Sequence, residues 1–146
     1  MANVLLVSPT NKIRADLHNW SAPPLGLWRI AGYLTRQKHS MNTVKVWDQI
    51  LDDHQPPVPE GGWDIIGLSP SHDTLSDDLK LSRRLHEEYP RAIFVAGGIE
   101  ASTNFQQLME LCSFVRHVIL GEGEKPLDKL CSWVDCVLGS DLPAIG

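Results

Sequence analysis

Five short runs of nearly unbroken apolar character punctuate the chain. They are NVLLVS (Asn3–Ser8), TVKVWD (Thr43–Asp48), DIIGLS (Asp64–Ser69), AIFVAG (Ala92–Gly97) and FVRHVIL (Phe114–Leu120). Each has the length and β-branched content of a buried strand. Continuous apolarity, rather than alternation, predicts strands covered on both faces. Helical periodicity fills most of the gaps. Leu27, Ile30, Ala31 and Leu34 fall at i, i+3, i+4 and i+7, with Pro24 suited to a first helical position. Leu75, Leu79, Leu85 and Tyr89 share a broad face, with Thr74 as the expected cap, Asp77 three residues on, and Pro90 as the stop. Phe105, Leu108, Met109 and Cys112 repeat the period, as do Leu127, Leu130, Cys131 and Val134 after Pro126. Only the polar, proline-rich stretch from Gln49 to Gly62 breaks the alternation, and it reads as a loop with at most one short helical turn.

Such βαβ alternation implies a parallel sheet with helices on both faces, and right-handed crossovers then favour an open, doubly wound sheet. The expected architecture is α/β and Rossmann-like, with five parallel strands in the order 2-1-3-4-5. Leu5, Val7, Ile66, Phe94 and Val95 are expected in the sheet core, with Leu34, Leu79, Leu108 and Leu130 packed on it. One domain is expected over 1–138, and GSDLPAIG at 139–146 reads as the start of a linker.

In an open sheet of this kind ligands bind outside the carboxyl ends of the strands. Those ends share a character here. The loop after the first strand closes on Pro24, Leu25 and Gly26. The third strand runs into Ser69, Pro70, Ser71, His72 and Thr74. The fourth ends at Gly97 and Gly98, and the fifth is followed by Gly121, Glu122 and Gly123. Glycine admits close backbone approach and positive φ, and the helix N-termini that follow offer free N–H groups. One glycine turn is ordinary, whereas several on one rim predict a ligand floor. Three familiar occupants are disfavoured. The first strand is followed by SPTNKI and not by G-x-G-x-x-G, a phosphate-binding G-x-x-x-x-G-K-[ST] is missing, and the third strand ends in Ser69 where a phosphoacceptor domain would carry Asp.

Composition narrows the classes further. The 146 residues are 42% hydrophobic and 21% charged, which suits a globular domain able to bury its own core. A net charge of −5 gives no reason to expect nucleic-acid or membrane partners. No apolar run has the length of a membrane span, MANVLLVSP is too short for a signal peptide, and a cytoplasmic location is the expectation. Cys112, Cys131 and Cys136 fit no paired metal spacing, and the first two fall on apolar helix faces. Trp47 and Trp63 read as strand-flanking, while Trp20 lies in a polar loop, where packing on that loop and covering a flat ring are equal alternatives. Glu122 and Glu124 read as helix-capping acids before acid–base groups, and no residue is assigned as catalytic.

Taken in order, NVLLVSP, PPLGLWRIAGYL, WDIIGLSPSHDT, FVAGGIEAS and VILGEGEKPL resemble the N-terminal cobalamin-binding domain of cobalamin-dependent radical SAM enzymes. The resemblance covers Asn3 to about Leu127. It implies cobalamin held over the strand carboxyl ends, with its nucleotide tail beside the third and fourth strands against Ser69, Gly97 and Gly98. Ser71, His72 and Thr74 would approach the lower face of the corrin, and the PPLG and GEGE turns would share the rim. It also implies a radical SAM partner domain, in the parent chain or in trans, carrying S-adenosylmethionine and a 4Fe-4S cluster, and methyl transfer or related radical chemistry. The cysteine spacing here does not supply the C-x-x-x-C-x-x-C of that catalytic half, so the chain is a fragment or a stand-alone relative. The cobalt-ligating D-x-H-x-x-G of other cobalamin domains is matched only in part by DLHNWS, with Ser21 in the glycine position. His18 is therefore a cobalt-ligand candidate ranked behind a solvated loop histidine, with His72 behind it, and the expectation is cobalamin with its base displaced and no protein histidine on cobalt. A cofactor-free, flavodoxin-like interaction or sensor module is the alternative.

Overall fold

The computed structural model describes residues 2–8, 25–37, 41–49, 54–70 and 75–139. The chain order is β1 (Asn3–Ser8), α1 (Leu25–Arg36), β2 (Thr43–Asp48), β3 (Ile65–Leu68), α2 (Leu75–Glu88), β4 (Ile93–Ala96), α3 (Ile99–Thr103), α4 (Phe105–Leu111), β5 (Val115–Val118) and α5 (Glu124–Gly139). The strands form one five-stranded sheet in the order β2-β1-β3-β4-β5, and every pairing is parallel. The expected order is therefore the observed one. β3, β4 and β5 are each a little shorter than their apolar runs.

Alternate residues of the central strands feed two separate cores, as the strand period of two requires. Leu5, Val7, Ile66, Leu68, Phe94 and Ala96 face α2, α3 and α4, meeting Leu81, Leu85, Ala101 and Leu108. Val4, Leu6, Ile65 and Val95 face α1 and α5, meeting Ala31, Leu34, Leu127, Cys131 and Val134. Leu79 and Leu130 are partly buried against these two clusters respectively. Trp47 and Trp63 are both buried in the first cluster, so they are core residues and not mere flanks. In the same layer His86 stacks on Phe114 with ring centroids 4.6 Å apart, and Phe94 meets both rings edge-on.

The amino edge of the sheet is tied by polar contacts. Asn3 donates from Nδ2 to the carbonyls of Glu60 and Gly62, and its backbone N–H donates to Asp64 Oδ2 at 2.8 Å. Gly61 and Gly62 turn the chain there with φ of 85° and 81°. The described part of the proline-rich connection, residues 54–62, carries no helix or strand, as expected of a loop.

Two helix expectations are corrected. The Phe105–Cys112 period does not form one buried face. Phe105 and Met109 are exposed, and only Leu108 and Cys112 reach the core, because the seven-residue α4 is too short to lay a full stripe on the sheet. At the other end of the chain α5 begins at Glu124, so Pro126 sits inside the first turn, where a missing N–H costs nothing. The expected cap Thr74, the residues around His18, Trp20 and Pro24, and the proposed linker residues 140–146 lie outside the described residues.

The three thiols sit in different environments. Cys112 and Cys131 are buried and Cys136 is exposed. Burial pushes the Cys131 thiol up to about 12, with Asp128 and Asp135 adding to the effect. Burial pushes the Tyr89 hydroxyl up to about 12 as well, assisted by Glu88. Both groups hold their protons more tightly folded than unfolded. Their contribution is complete below the unfolded values of 9.0 and 10.0 and is lost as pH rises through about 12. Thiol labelling of the folded protein near neutrality should modify Cys136 rapidly, and Cys112 and Cys131 only at the rate of opening. Denaturant midpoints should fall steadily from about pH 9 upward, and less steeply in Cys131→Ala.

Candidate functional site

The geometry of the carboxyl edge follows from the same period of two. On the face that carries α1 and α5, the central strands run Leu6 to Ser8, Gly67 to Ser69 and Val95 to Gly97 toward that edge. Each row changes from a larger to a smaller side chain, except β3, which is small throughout. α1 and α5 rest on the larger residues nearer the amino edge, so a crevice opens beneath them where the rows become small.

The crevice has a volume of about 300 Å³, at the lower end of the range for small-molecule sites. Its floor and walls are apolar, from Leu6, Leu27, Ile30, Val95, Ile119 and Leu127. Its rim is small or polar, from Ser8, Gly26, Ser69, Gly97, Gly98, Gly121 and Gly123. Arg29, Glu122 and Glu124 stand at the mouth.

Four glycines have distinct jobs. Gly98 has φ 96°, and a Cβ there would lie 3.1 Å from Ser69 Oγ, so a side chain is resisted by both backbone and neighbour. Gly97 is different. A Cβ there meets nothing nearer than Ile119 Cβ at 4.0 Å, so its bareness serves the space above it and not the backbone. Gly67 lies inside β3, and a Cβ would come within 2.7 Å of Leu6 Cδ2, so this glycine lets Leu6 lean across the floor. Gly123 does the same for Ile30, whose Cδ1 lies 3.0 Å from its ideal Cβ.

The loops are also tied to one another. Gly97 N–H donates to the Leu68 carbonyl at 3.0 Å, and Ile119 N–H to the Ala96 carbonyl at 2.8 Å, extending the sheet ladder to the rim. Gly121, with φ 79°, donates its N–H to Ser102 Oγ at 3.1 Å, joining the loop after β5 to α3. The Gly123 carbonyl accepts from Leu127 N–H at 3.0 Å, which makes Gly123 the cap position of α5. Arg29 of α1 reaches across to α5, with Nε 2.7 Å from Glu124 Oε1 and Nη2 3.8 Å from Glu122 Oε1. The two acids expected to cap α5 are therefore engaged with a cation from the facing helix.

Of the sequence-derived site residues, Gly26, Ser69, Gly97, Gly98, Gly121, Glu122 and Gly123 come together around this one crevice. Leu25 does not; it is 70% exposed at the start of α1. Pro70 is buried in the opposite layer, beside Asp78, Leu79 and Ser82. Pro24, Ser71, His72, Thr74 and His18 lie outside the described residues. Sequence reasoning missed Ser8, Gly67 and Arg29 as lining residues, and it set Glu124 on the rim with the GEGE turn but without its partner Arg29. For Ser8 and Gly67 the signal was present as strand parity with Ser69 and Gly97, whereas Arg29 and Glu124 meet only in three dimensions. Among the described residues no group of three or more His, Cys, Asp or Glu side chains is placed to hold a metal ion. No helix among them is long and apolar enough to cross a membrane.

Comparison with known proteins gives matches of different weight. The B12 binding domain family matches residues 19–131, a span that includes α1 through the first half of α5 and every loop of the crevice except that of Ser8. Among solved structures, the RcsB response regulator of Salmonella typhimurium, described for its conformational dynamism in DNA interaction, superposes with a TM-score of 0.54 at 12% identity. That alignment covers 99% of this chain and 63% of the regulator, and at such identity it speaks for the fold alone. No curated protein matches the chain.

The contrast between the paired glycines is measurable without any ligand. Gly97→Ala should leave the unfolding free energy within about 0.5 kcal/mol of the parent. Gly98→Ala should cost about 1–2 kcal/mol, since it places a Cβ at positive φ against Ser69. Equal losses in urea unfolding would contradict this division of roles.

Proposed function

The chain belongs to the B12 binding domain family, and on that premise we propose that it is the cobalamin-holding module of a radical SAM enzyme. The observation that carries the cobalamin half of this reading is the crevice itself. It is open at the carboxyl edge beside β3 and β4, floored by apolar side chains, and bare of Cβ atoms where Gly97 and Gly98 form its lip. A volume of about 300 Å³ is far too small for a corrin macrocycle but fits an aromatic base with its sugar and phosphate. The nucleotide tail would thus lie in the crevice, and the ring would rest over the rim.

The residues present fit this tail in chemistry as well as in size. Leu6, Ile30, Val95 and Leu127 offer apolar contact to a flat base. Ser8 and Ser69 supply hydroxyls where the sugar would follow, and the glycines of the rim let the linker approach the backbone closely. Bound cobalamin would supply a cobalt centre able to carry a methyl group, and this chain's part is to orient it, shield its lower face from water and present its upper face to a partner. The radical SAM partnership is supported by the ordered set of five sequence features described above. S-adenosylmethionine, the 4Fe-4S cluster and the substrate belong to that partner.

The binding reading is tested by titrating the parent chain and Gly97→Val with cobalamin and following the visible spectrum, with gel filtration to detect retained cofactor. The parent should retain cobalamin with the spectrum of a displaced base. Gly97→Val should melt close to the parent yet lose binding by at least tenfold, because its side chain occupies the lip without straining φ. Equal binding by the two proteins would remove the tail from the crevice. Paramagnetic resonance of the reduced complex should show no nitrogen hyperfine splitting from a protein histidine. A splitting that vanishes in His18→Ala or His72→Ala would place an imidazole on cobalt and overturn that part.

A further inference from the structure

α1 and α5 form the two walls of the crevice, and they come from distant parts of the chain. Ile30 of α1 lies over Gly123 at the start of α5, while Gly26 and Gly121 have open space where a side chain would stand, so apolar packing joins the walls at one point only. Among the described residues one guanidinium makes the ion pairs that span the gap. Arg29 Nε meets Glu124 Oε1 at 2.7 Å, while Arg29 Nη2 stands 3.8 Å from Glu122 Oε1. Burial of the partners is uneven. The Glu124 side chain is 12% exposed, against 67% for Arg29 and 80% for Glu122. A carboxylate so far withdrawn from water needs a compensating charge, and the one bonded to it comes from the facing helix.

Resting on the reading that the crevice takes the cobalamin nucleotide tail, we infer that the Arg29–Glu124 pair is a clasp. It fixes the distance between α1 and α5 at the width of the tail and holds the tail in place. Arg29 is a less apt receptor for the tail phosphate. Its guanidinium already faces two carboxylates, so the three groups together leave the mouth with a negative charge. Opening the clasp would strand Glu124 without its cation, so the closed width is favoured in the absence of any ligand. Glu122, exposed and more distant, adds little to that balance. Arg29 and Glu124 are therefore positioning residues, acting on the cofactor through the walls that they hold.

The test uses the full chain and two probes, cobalamin and cobinamide, which has the same corrin but no nucleotide tail. Binding and dissociation rates are measured for the parent, Arg29→Gln, Glu124→Gln and the double variant, with thermal midpoints recorded for each. Each single variant should bind cobalamin roughly three- to tenfold more weakly, through faster dissociation. The double variant should be no weaker than the weaker single, because both substitutions open one clasp. Cobinamide affinity should stay unchanged throughout. The proposal falls if the singles hold cobalamin as the parent does, if the double loses the product of the two single effects, or if cobinamide is weakened as much as cobalamin. Should the parent bind cobinamide as tightly as cobalamin, the crevice does not take the tail, and the tail placement fails ahead of the clasp. Arg29→Gln alters a largely exposed side chain and keeps the experiment readable if Glu124→Gln lowers the thermal midpoint.

Discussion

Parallel pairing in register is the constraint on which the site depends. Because Leu6 pairs with Gly67 and Gly67 with Val95, the side chains of three strands form straight rows across the sheet. Two residues on, Ser8, Ser69 and Gly97 extend those rows on the same face. A slip of one residue in any strand would send its row to the opposite layer, and in β1 or β3 it would replace a serine by a bulkier neighbour. The crevice is therefore a property of the register before it is a property of any loop. The amino edge holds that register through Asn3, whose bonds to Glu60, Gly62 and Asp64 fix β1 against β3.

Much of this was legible along the chain. Unbroken apolar runs identify the five strands because both faces are covered, and the helical periods of α1, α2 and α5 are long enough to show which side packs. The failure at Phe105 and Met109 has a physical cause. A three-and-four spacing defines a face only if the helix continues, and the chain breaks between Thr103 and Phe105, where Asn104 takes φ −121° and ψ 31°. Among the described side chains, the two short helices then reach the core at Ala101 and Leu108 only. Leu25 and Pro70 show the matching difficulty at the site. A residue beside a rim residue in sequence can point elsewhere, to solvent at the start of α1 for Leu25 and to the other layer past the end of β3 for Pro70.

Glycines at strand ends were readable because turns and close approaches favour them. Gly67 was hidden because a glycine inside an apolar strand looks like a weakness. Its purpose appears only when Leu6 is seen leaning over it. Arg29 and Glu124 carry no sequence signal toward one another, being common residues on separate amphipathic helices. The fold likeness to a response regulator sharpens the same lesson. A common fold accommodates different chemistries, so the likeness carries no information about what fills the crevice.

The walls of the crevice are contributed by α1 and α5, one early in the described chain and one at its close. A ribosome emits them in that order, at about 5–20 residues each second. Until α5 emerges and docks, the floor formed by Leu6, Gly67 and Val95 has a single wall, and no pocket exists to recognise a cofactor. The crevice is therefore complete only once α5 has been made, and anything that binds in it would stabilise the α5 seam by mass action.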